Sequence, residues 1–373
     1  DLFCLFYERG GTLLNDSGSL CYITSNKFFR SGYGKPLRQL LQEKYVLQRL
    51  IDFGELPVFE AGTDPVITQF GKEARADFIA AIIKNADDIQ NIPRAVALLG
   101  RTMTHEELSL DGWSLSGREA AGILEKMRRN STPLGEYVNG EIYRGILTGF
   151  NDAFIIDNAT REALIAADPK SSEIIVPLAK GDDVRKWHIR DKGRWLILTK
   201  TGVPIKRYPA IFAHLKKWEK ELKARKDQGN QWWELRTCSY YDVFSNPKIV
   251  YPEIARESRF ALDSGSIYPL KTVFSMPSSD RFLLGVLNSK ATWHYLKNTC
   301  SSLGDPEKGG RLLMQAIYLE TLPIPSATPE QQTTLANLVE RILAATKVGQ
   351  AFLPARDAQT GMSAPPSSCD TSS

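Results

Sequence analysis

The segment YRGILTGFNDAFIID places polar and small residues immediately before a short apolar run. Those residues are Arg144, Gly145, Thr148, Gly149 and Asn151. Arginine, hydroxyl and amide side chains supply a cation, donors and acceptors, which suits the recognition of a polar partner. The glycines allow a positive φ or a close approach of the backbone to that partner. An ordinary tight turn is the alternative, and the segment alone leaves both interpretations open.

A second stretch, from Lys180 to Asp227, carries 15 Lys and Arg residues against 6 Asp and Glu residues, although the net charge of the whole chain is only +4. Its interleaved aromatic residues are Trp187, Trp195, Tyr208 and Trp218. A basic face on an otherwise slightly acidic protein indicates a polyanionic partner. For the part between Lys216 and Lys226, a solvated helix face is the alternative.

Helix and strand signals alternate over residues 1 to about 70, which are the first elements that would position such residues. The predicted elements are a helix in DLFCLFYERGGTLLN, a strand in GSLCYITSNKFF, a helix in GYGKPLRQLLQEKY, and strands in VLQRLIDFGELPVF and DPVITQF. This alternation indicates an open α/β sheet, and ligands usually bind in the loops that follow its strands. Those loops are Ser25 to Phe29 and Gly54 to Phe59.

The later part of the chain is richer in short strands and turns, with a further possible strand in ADFIAAIIK and a helix in GREAAGILEKMRRN before it. The predicted strands lie in AFIID, RWLILT, KIVYPEI and RFALD. One helix has Pro209 in its first turn and an apolar stripe of Ile211, Leu215, Trp218 and Leu222. A last helix begins with a capping box at Thr328 and carries Leu335, Leu338, Ile342 and Leu343.

Composition places the chain among ordinary globular proteins, with 42% hydrophobic and 24% charged residues over 373 positions, enough for two domains. No apolar stretch approaches the roughly 20 residues that span a bilayer, so we expect no membrane partner. The five cysteines are scattered and form no C-x-x-C pair, which predicts neither a disulfide framework nor a metal site and favours a reducing cytoplasm. Phosphate-loop, dinucleotide-binding and serine-hydrolase motifs are absent from the sequence.

The order of several segments resembles the adenine-specific DNA methyltransferases of the gamma, TaqI-like class, which includes type IIG restriction-modification enzymes and BREX-type methylases. The similar segments include DLFCLFYERG, LIDFGELPVFEAG, YRGILTGFNDAFIID, EIIVPLAKGDDVRKW, KIVYPEI, LLGVLNSK and LETLPIP. The resemblance implies S-adenosylmethionine as cofactor, double-stranded DNA as partner, and methylation of an adenine amino group. It also implies the C-terminal half of a Rossmann-like methyltransferase sheet followed by an α+β target recognition domain.

The resemblance suggests five parts. They are the end of the catalytic domain (1–75), a connector (76–130), the target recognition domain (131–325), a C-terminal helix (326–350) and a disordered tail (351–373). The glycine-rich cofactor motif and the Asn/Asp-Pro-Pro-Tyr motif of the class do not occur in these residues, so we expect them upstream of Asp1. A non-catalytic specificity module serving a separate methylase or nuclease is the rival. RNA methylation is disfavoured because no RNA-binding module signature appears.

Two aromatic residues match positions of the family that line the active site. Phe59, in LPVFEAG, matches the aromatic that stacks on the flipped adenine, and Phe6, in DLFCLFYE, matches an aromatic of the cofactor pocket. The alternatives are a core phenylalanine for Phe59 and the inner face of a helix for Phe6. In the same families, the loop containing Arg144, Gly145, Thr148, Gly149 and Asn151 lies near DNA. The loop AKGDDVRKW adds Lys180, Asp182, Arg185 and Lys186 to that surface.

Overall fold

The computed structural model describes residues 1–351 except 55, 61–62, 84, 111, 116–117 and 304–309. The helices are α1 (Leu2–Leu13), α2 (Lys35–Glu43), α3 (Ala86–Ile89), α4 (Ile92–Leu99), α5 (Arg118–Arg128), α6 (Leu134–Tyr137), α7 (Asn151–Phe154), α8 (Asn158–Ala167), α9 (Pro209–Lys216), α10 (Glu219–Lys223), α11 (Arg281–Leu287), α12 (Lys290–Thr299), α13 (Ala316–Leu319) and α14 (Pro329–Ala351). The strands are β1 (Ser19–Ser25), β2 (Val46–Asp52), β3 (Pro65–Gly71), β4 (Asp77–Ile82), β5 (Arg101–Thr104), β6 (Ser131–Pro133), β7 (Tyr143–Arg144), β8 (Ile155–Asp157), β9 (Ile175–Ala179), β10 (Arg194–Ile197), β11 (Lys248–Pro252), β12 (Ile254–Ala255), β13 (Ala261–Asp263), β14 (Tyr268–Pro269), β15 (Val273–Met276), β16 (Ser302–Leu303), β17 (Arg311–Leu313) and β18 (Pro323–Pro325).

The first five strands form one mixed sheet in the order β1-β3-β2-β4-β5. β3 is antiparallel to both β1 and β2, whereas β2 and β4 are parallel and β5 closes the far edge in the antiparallel direction. All the strands and helices predicted for residues 1 to 71 are present. The sheet continues past residue 75, because β4 and β5 come from the stretch that the sequence assigns to a connector. We therefore treat residues 1–115 as the amino-terminal region.

Tyr7 is the main anchor of helix α1 on this sheet. Tyr7 is fully buried, its ring stacks on Phe70, and its hydroxyl donates to Thr68 Oγ1 at 3.1 Å. The same hydroxyl lies 2.8 Å from Thr24 Oγ1. A buried tyrosine whose hydroxyl is paired loses no hydrogen bond on folding, so Tyr7 both packs and orients the helix.

The opposite side of α1 is exposed although its side chains are apolar. Leu2, Leu5, Phe6 and Leu13 are each more than half exposed. Beside this helix, β1 is an edge strand with β3 as its only strand partner among the described residues, and its Ile23 is also exposed. The amino-terminal region therefore presents an apolar helix face next to an open sheet edge.

Residues 131–325, the carboxyl-terminal region, contain several small sheets. One has the order β14-β9-β10-β8 and another the order β13-β11-β15-β7, and the latter packs with α11 and α12 around a core that includes Tyr251 and Phe260. Helices α9 and α10 cover the first of these sheets. The two regions touch where Arg30 Nη1 donates to the carbonyl of Cys300 at 2.8 Å.

Several details differ from the sequence predictions. The run AFIID is only partly a strand, because Asn151 to Phe154 form the helical turn α7 and three residues pair with β10. The helix predicted from Pro209 is divided into α9 and α10 at Lys217 and Trp218. Helix α14 begins with the predicted capping box, since Thr328 and Gln331 exchange hydrogen bonds.

The predicted apolar stripe of α14 is only partly buried. Leu338 and Ile342 are exposed, whereas Val339 is buried and Leu335 and Leu343 pack against the core. The tail predicted to be disordered lies outside the described residues from 352 onwards. No helix among the described residues is long and apolar enough to cross a membrane.

Candidate nucleic-acid interface

The loops after β1 and β2 lie at the same edge of the amino-terminal sheet. Asn26 follows β1, and its amide Nδ2 donates to Asp52 Oδ1 at 2.9 Å at the end of β2. The backbone N–H of Asn26 donates to the carbonyl of Asp64 at 2.7 Å, which closes the loop that contains Phe59. The structure therefore brings together the two strand-end loops that the sequence predicted as ligand-binding.

Phe59 and Phe6 are both solvent-exposed. The exposed fraction is 46% for Phe59 and 58% for Phe6, so neither is a core side chain. The alternatives of a core phenylalanine and of an inner helix face are therefore wrong. The nearby aromatic residues that do belong to the core are Phe53 and Tyr7. The roles assigned to Phe59 and Phe6 by resemblance stay predictions.

The loop of residues 143–151, named the first specificity loop after the family resemblance, is held by strand β15 and by the segment Leu270–Thr272. Arg144 forms an ion pair with Glu253 at 2.8 Å, and its Nε donates to the carbonyl of Lys271. Gly145 packs directly on backbone, because a Cβ at this position would lie 2.3 Å from the carbonyl oxygen of Leu270. Contact within the protein is thus sufficient to explain a glycine at this position, and its place near DNA stays a prediction.

Thr148, which the resemblance places near DNA, is buried. Its side chain is 3% exposed and its hydroxyl donates to Asn151 Oδ1 at 2.7 Å, so it orients the exposed Asn151 from below. Gly149 adopts a φ of +70°, which a glycine tolerates best. Asn151 is therefore the polar side chain of this turn that faces solvent together with its neighbour Asp152.

Arg225 supports the same loop from the interior. It is 9% exposed, and Nη1 donates to the carbonyl of Thr148 at 2.6 Å. Nη2 donates to the carbonyls of Trp232 and Glu234, and the guanidinium lies 4.9 Å from the centre of the Phe154 ring. Burial lowers the pKa of Arg225, but a guanidinium stays charged at neutral pH. This arginine is a structural anchor and does not face a ligand.

The second specificity loop, residues 180–190, joins the first through Leu270–Thr272. Gly181 N donates to Thr272 Oγ1 at 3.0 Å. The buried Asp183 accepts from the backbone N–H of Lys180 at 2.7 Å and pairs with Arg194. Lys180 is half-buried and Asp182 is exposed. The exposed Lys271 stands between the two loops, so the structure places Arg144, Lys180 and Lys271 on neighbouring backbone segments.

Arg185 and Lys186 lie further along the second loop, where the charges of Arg190 and Arg259 act on Arg185 and those of Asp182 and Asp183 partly offset them. Burial lowers the pKa of Arg185, and the charges of Arg190 and Arg259 lower it further. Burial also lowers the pKa of His188, an effect that Arg190 and Arg185 strengthen. Such mutual repulsion between cations is relieved when an anion binds among them.

The basic stretch as a whole does not form one face. Arg225 is buried and Arg194 pairs with a buried aspartate, whereas Lys216, Lys217, Lys220 and Lys223 are exposed on α9, α10 and their junction. Lys223 also pairs with Glu219 one turn earlier. For this helical part the alternative of a solvated face fits the geometry, and charge counting alone could not separate these positions.

Comparison with known proteins now bears on both regions. The model of the Eco57I restriction-modification methylase family matches residues 1–59, and that of the TaqI-like C-terminal specificity domain matches residues 176–324. The chain is therefore similar to a restriction-modification methylase in its first part and to a TaqI-like specificity domain in its second. The resemblance inferred from the sequence is thereby confirmed.

Individual type II methyltransferases align over most of the chain. The type II methyltransferase M.PaeR7I of Pseudomonas aeruginosa is 23% identical over 347 residues, covering 87% of this chain and 58% of its own length. M.XhoI of Xanthomonas vasicola is 24% identical over 351 residues, covering 87% and 62%. The chain thus spans less than two thirds of each of these curated relatives.

One solved structure shares the fold. It is a type IIL restriction-modification enzyme, MmeI, in complex with DNA, and it matches with a TM-score of 0.64 at 14% identity. The match covers 93% of this chain and 45% of that chain. The arrangement of sheets and helices described above therefore recurs in a restriction-modification enzyme.

Sequence reasoning missed two residues that shape this interface, one exposed and one buried beneath it. Lys271 had one signal, a single lysine inside the apolar run YPLKTVF. Arg225 had none, because its partner Thr148 is 77 residues away and its neighbours Lys223 and Lys226 are equally basic. Only the tertiary contacts distinguish the buried anchor from the exposed cations.

Proposed function

We propose that this chain forms the carboxyl-terminal part of a site-specific, adenine-specific DNA methyltransferase of a restriction-modification or phage-defence system. The observation that carries the proposal is a mixed sheet whose edge strand β1 has one strand partner among the described residues, in a chain that also fixes two polar loops on the segment Leu270–Thr272. The matched families support it by assigning a methylase to the first region and a specificity domain to the second.

The amino-terminal region would complete a Rossmann-like methyltransferase sheet. Its order β1-β3-β2, with an antiparallel strand inserted between two others, leaves one side of β1 without a strand partner among the described residues. The apolar face of α1 lies beside that edge. We propose that the cofactor-binding half of the sheet pairs there and covers Leu5 and Phe6, because exposed apolar surface of this kind marks an interface.

The residues present fit one wall of an S-adenosylmethionine site. Phe6 projects an exposed ring from α1, and Asn26 and Asp52 hold the strand ends together at the edge where ligands bind in α/β folds. The cofactor, when bound, supplies the methyl group. Phe6 would contact its flat or apolar part, and the remaining walls would come from the cofactor-binding half.

Phe59 would hold the target base. An adenine amine is conjugated with its ring and buried in the duplex, so the base must be flipped out and aligned before it can react. Stacking on an aromatic ring contributes about 1–3 kcal/mol per base. Phe59 has an exposed ring in a loop closed by Asn26 and Asp64, which suits a stacking wall. Methyl transfer to the adenine amine would need no covalent nucleophile from the protein.

The carboxyl-terminal region would read the duplex. Asn151, oriented by Thr148, can form two hydrogen bonds with a base edge or bind a phosphate. Lys180, Arg185 and Lys186 supply cations for backbone phosphates, and Asp182 can accept from a cytosine amine. Arg144 is already paired with Glu253, so it would contribute only if DNA displaces that carboxylate.

Methylation mapping in cells that express the gene in full tests this proposal. Long-read sequencing should detect modified adenines in one short sequence context. Phe59→Ala should reduce that signal while Phe59→Trp retains much of it, and neither should destabilise the fold. Phe53→Ala is the matched control, because Phe53 is 1% exposed and its loss should cost about 3–5 kcal/mol of stability. Modified cytosines, or no modified base at all, would refute adenine methylation.

A further inference from the structure

A pocket of about 380 Å³ lies outside the two strand-end loops, between the second specificity loop and α12. Lys186, Ser258, Ser289, Lys290, His294 and Lys297 are among its lining residues. The segment LNSK that supplies Ser289 and Lys290 resembles a recurring piece of the family, but the function proposed above gives it no role. The pocket therefore raises the question of what this segment binds.

The amino terminus of α12 opens into this pocket. Ser289 caps the ten-residue helix by accepting from Thr292 N at 3.0 Å. The first N–H groups of a helix and its macrodipole together favour an anion at this end. Three of the lining side chains are lysines, and the single carboxylate among the lining residues, Glu257, pairs with Arg259 at 3.1 Å.

Two polar atoms at the pocket have no partner among the described residues. Ser258 is 4% exposed, and its Oγ makes no hydrogen bond. Nε2 of the half-buried His294 on α12 also makes no hydrogen bond. A buried hydroxyl left unpaired costs about 1–3 kcal/mol, so its presence at the wall of a cationic pocket points to a ligand that accepts a hydrogen bond there.

The walls of the pocket are held rigidly. Asn288 forms two hydrogen bonds with Phe260, its Oδ1 accepting from N at 3.2 Å and its Nδ2 donating to O at 2.9 Å. The N–H of Trp187 donates to the same carbonyl, and Trp187 has a φ of +75°, a conformation that a tryptophan rarely adopts. This strained residue fixes the position of Lys186 next to α12.

We propose that this pocket binds a phosphate group, and that its source is a phosphodiester of the duplex backbone. The inference rests on the proposed function for its source but not for its chemistry, because a free nucleotide or inorganic phosphate would present the same group. Lys186 and Lys290 would neutralise the charge, and Ser258 would donate its hydroxyl. Phosphate contacts position a protein on DNA without reading the sequence.

The first experiment measures inorganic phosphate binding by the 373-residue chain. Thermal unfolding is compared in potassium phosphate and in potassium chloride of equal ionic strength, for the wild type, Ser258→Ala and Lys290→Gln. Phosphate bound in the pocket should raise Tm by about 2–4 °C in the wild type only. Its general effect as an excluded anion is common to all variants and cancels. Lys170→Gln, an exposed lysine elsewhere, should behave as the wild type.

The second experiment measures duplex binding by the same proteins as a function of salt. Lys186→Gln and Lys290→Gln should each make the slope of log K against log salt shallower by about 0.9, and Lys170→Gln should not. An equal phosphate response in wild type and Ser258→Ala would overturn the pocket as a phosphate site. A lost phosphate response with an unchanged slope would assign the pocket to a free phosphate and overturn the DNA source. No duplex binding by the wild type would instead refute the proposed function.

Discussion

The two regions of the molecule differ in how much apolar surface they expose and how many charged side chains they bury. The amino-terminal region leaves an apolar helix face and a sheet edge in solvent, with Phe6 more than half exposed. The carboxyl-terminal region buries several charged side chains, including Arg225 and the pair of Lys248 with Asp263, whereas Arg38 is the charged residue buried among the described residues of the amino-terminal region. Apolar surface is exposed where we propose that another part of a protein docks. Charge is buried where loops must be held in one conformation.

This difference separates a surface that lacks a packing partner from an interior whose buried charges already have partners. An exposed apolar face lacks a packing partner. Buried Arg225 already has its partners within the region. Its four hydrogen bonds to backbone carbonyls offset the cost of burying its charge. We infer that the first region depends on association and that the second is already organised for binding. The following predictions test that contrast.

Adjacent residues of α1 should respond very differently to truncation. Tyr7→Ala should lower the free energy of unfolding by about 3–5 kcal/mol, because the ring is fully buried and stacked on Phe70. Phe6→Ala should change it by no more than about 0.5 kcal/mol, because the ring is 58% exposed. Urea unfolding of both variants measures the difference. Similar losses would show that the exposed face of α1 is packed in solution.

The buried pair of the carboxyl-terminal region should matter far more than an exposed one. Lys248 is fully buried and also donates to the carbonyl of Phe244 at 2.7 Å, so Lys248→Met should cost about 3–5 kcal/mol by leaving Asp263 without its cation. Lys200→Met removes the exposed pair with Asp242 and should cost about 0–1 kcal/mol. If Lys248→Met and Lys200→Met unfold at the same temperature, the buried ion pair does not organise this region.

Two glycines with similar backbone conformations should also differ. Gly149 and Gly140 have φ values of +70° and +74°, so alanine at either position should cost about 1–2 kcal/mol in backbone strain. At Gly149 the added Cβ would also lie 2.8 Å from the carbonyl oxygen of Asp227, whereas Gly140 has nothing within 4 Å. Gly149→Ala should therefore lose about 1–3 kcal/mol more than Gly140→Ala in thermal unfolding. Equal losses would show that the loop can shift to make room for the added methyl group next to Arg225.

Acid should weaken the carboxyl-terminal region through His214. Burial lowers the pKa of His214 below its ordinary value of 6.5, although its Nε2 lies 3.1 Å from the carbonyl of Ala153. Below pH 6.5 the unfolded chain takes up more protons, so stability is fully present above that pH and falls as the pH drops towards the folded-state pKa. His214→Gln should flatten this part of the pH profile of urea unfolding. An unchanged profile would exclude His214 as its source.

The strands and helices of the amino-terminal region were predictable because their apolar spacing and turn residues agree with the tertiary structure. The helical turn of Asn151 to Phe154 was not, because two polar residues that favour helix starts precede an apolar run that also suits a strand. The apolar run of β4 could be read as a strand, but its parallel pairing with β2 depends on long-range contacts that periodicity does not encode.

For the site, residue types could be predicted but their orientations could not. The sequence selected Asn151, Arg185 and Lys186, which the structure leaves at least partly accessible. It selected Thr148 and Gly145 equally, although both are used within the protein. Hydroxyls and glycines have too many structural uses for their type alone to show which partner they meet.

Selection from a random duplex library by the 373-residue chain tests the central claim most directly. If the carboxyl-terminal region is organised for sequence recognition, the wild type should enrich one short sequence. Asn151→Ala should bind duplex with nearly the same salt dependence but relax the preference at one position. A library that stays random while the chain still retains duplex DNA would contradict the account, since it would reduce both loops to general phosphate contacts.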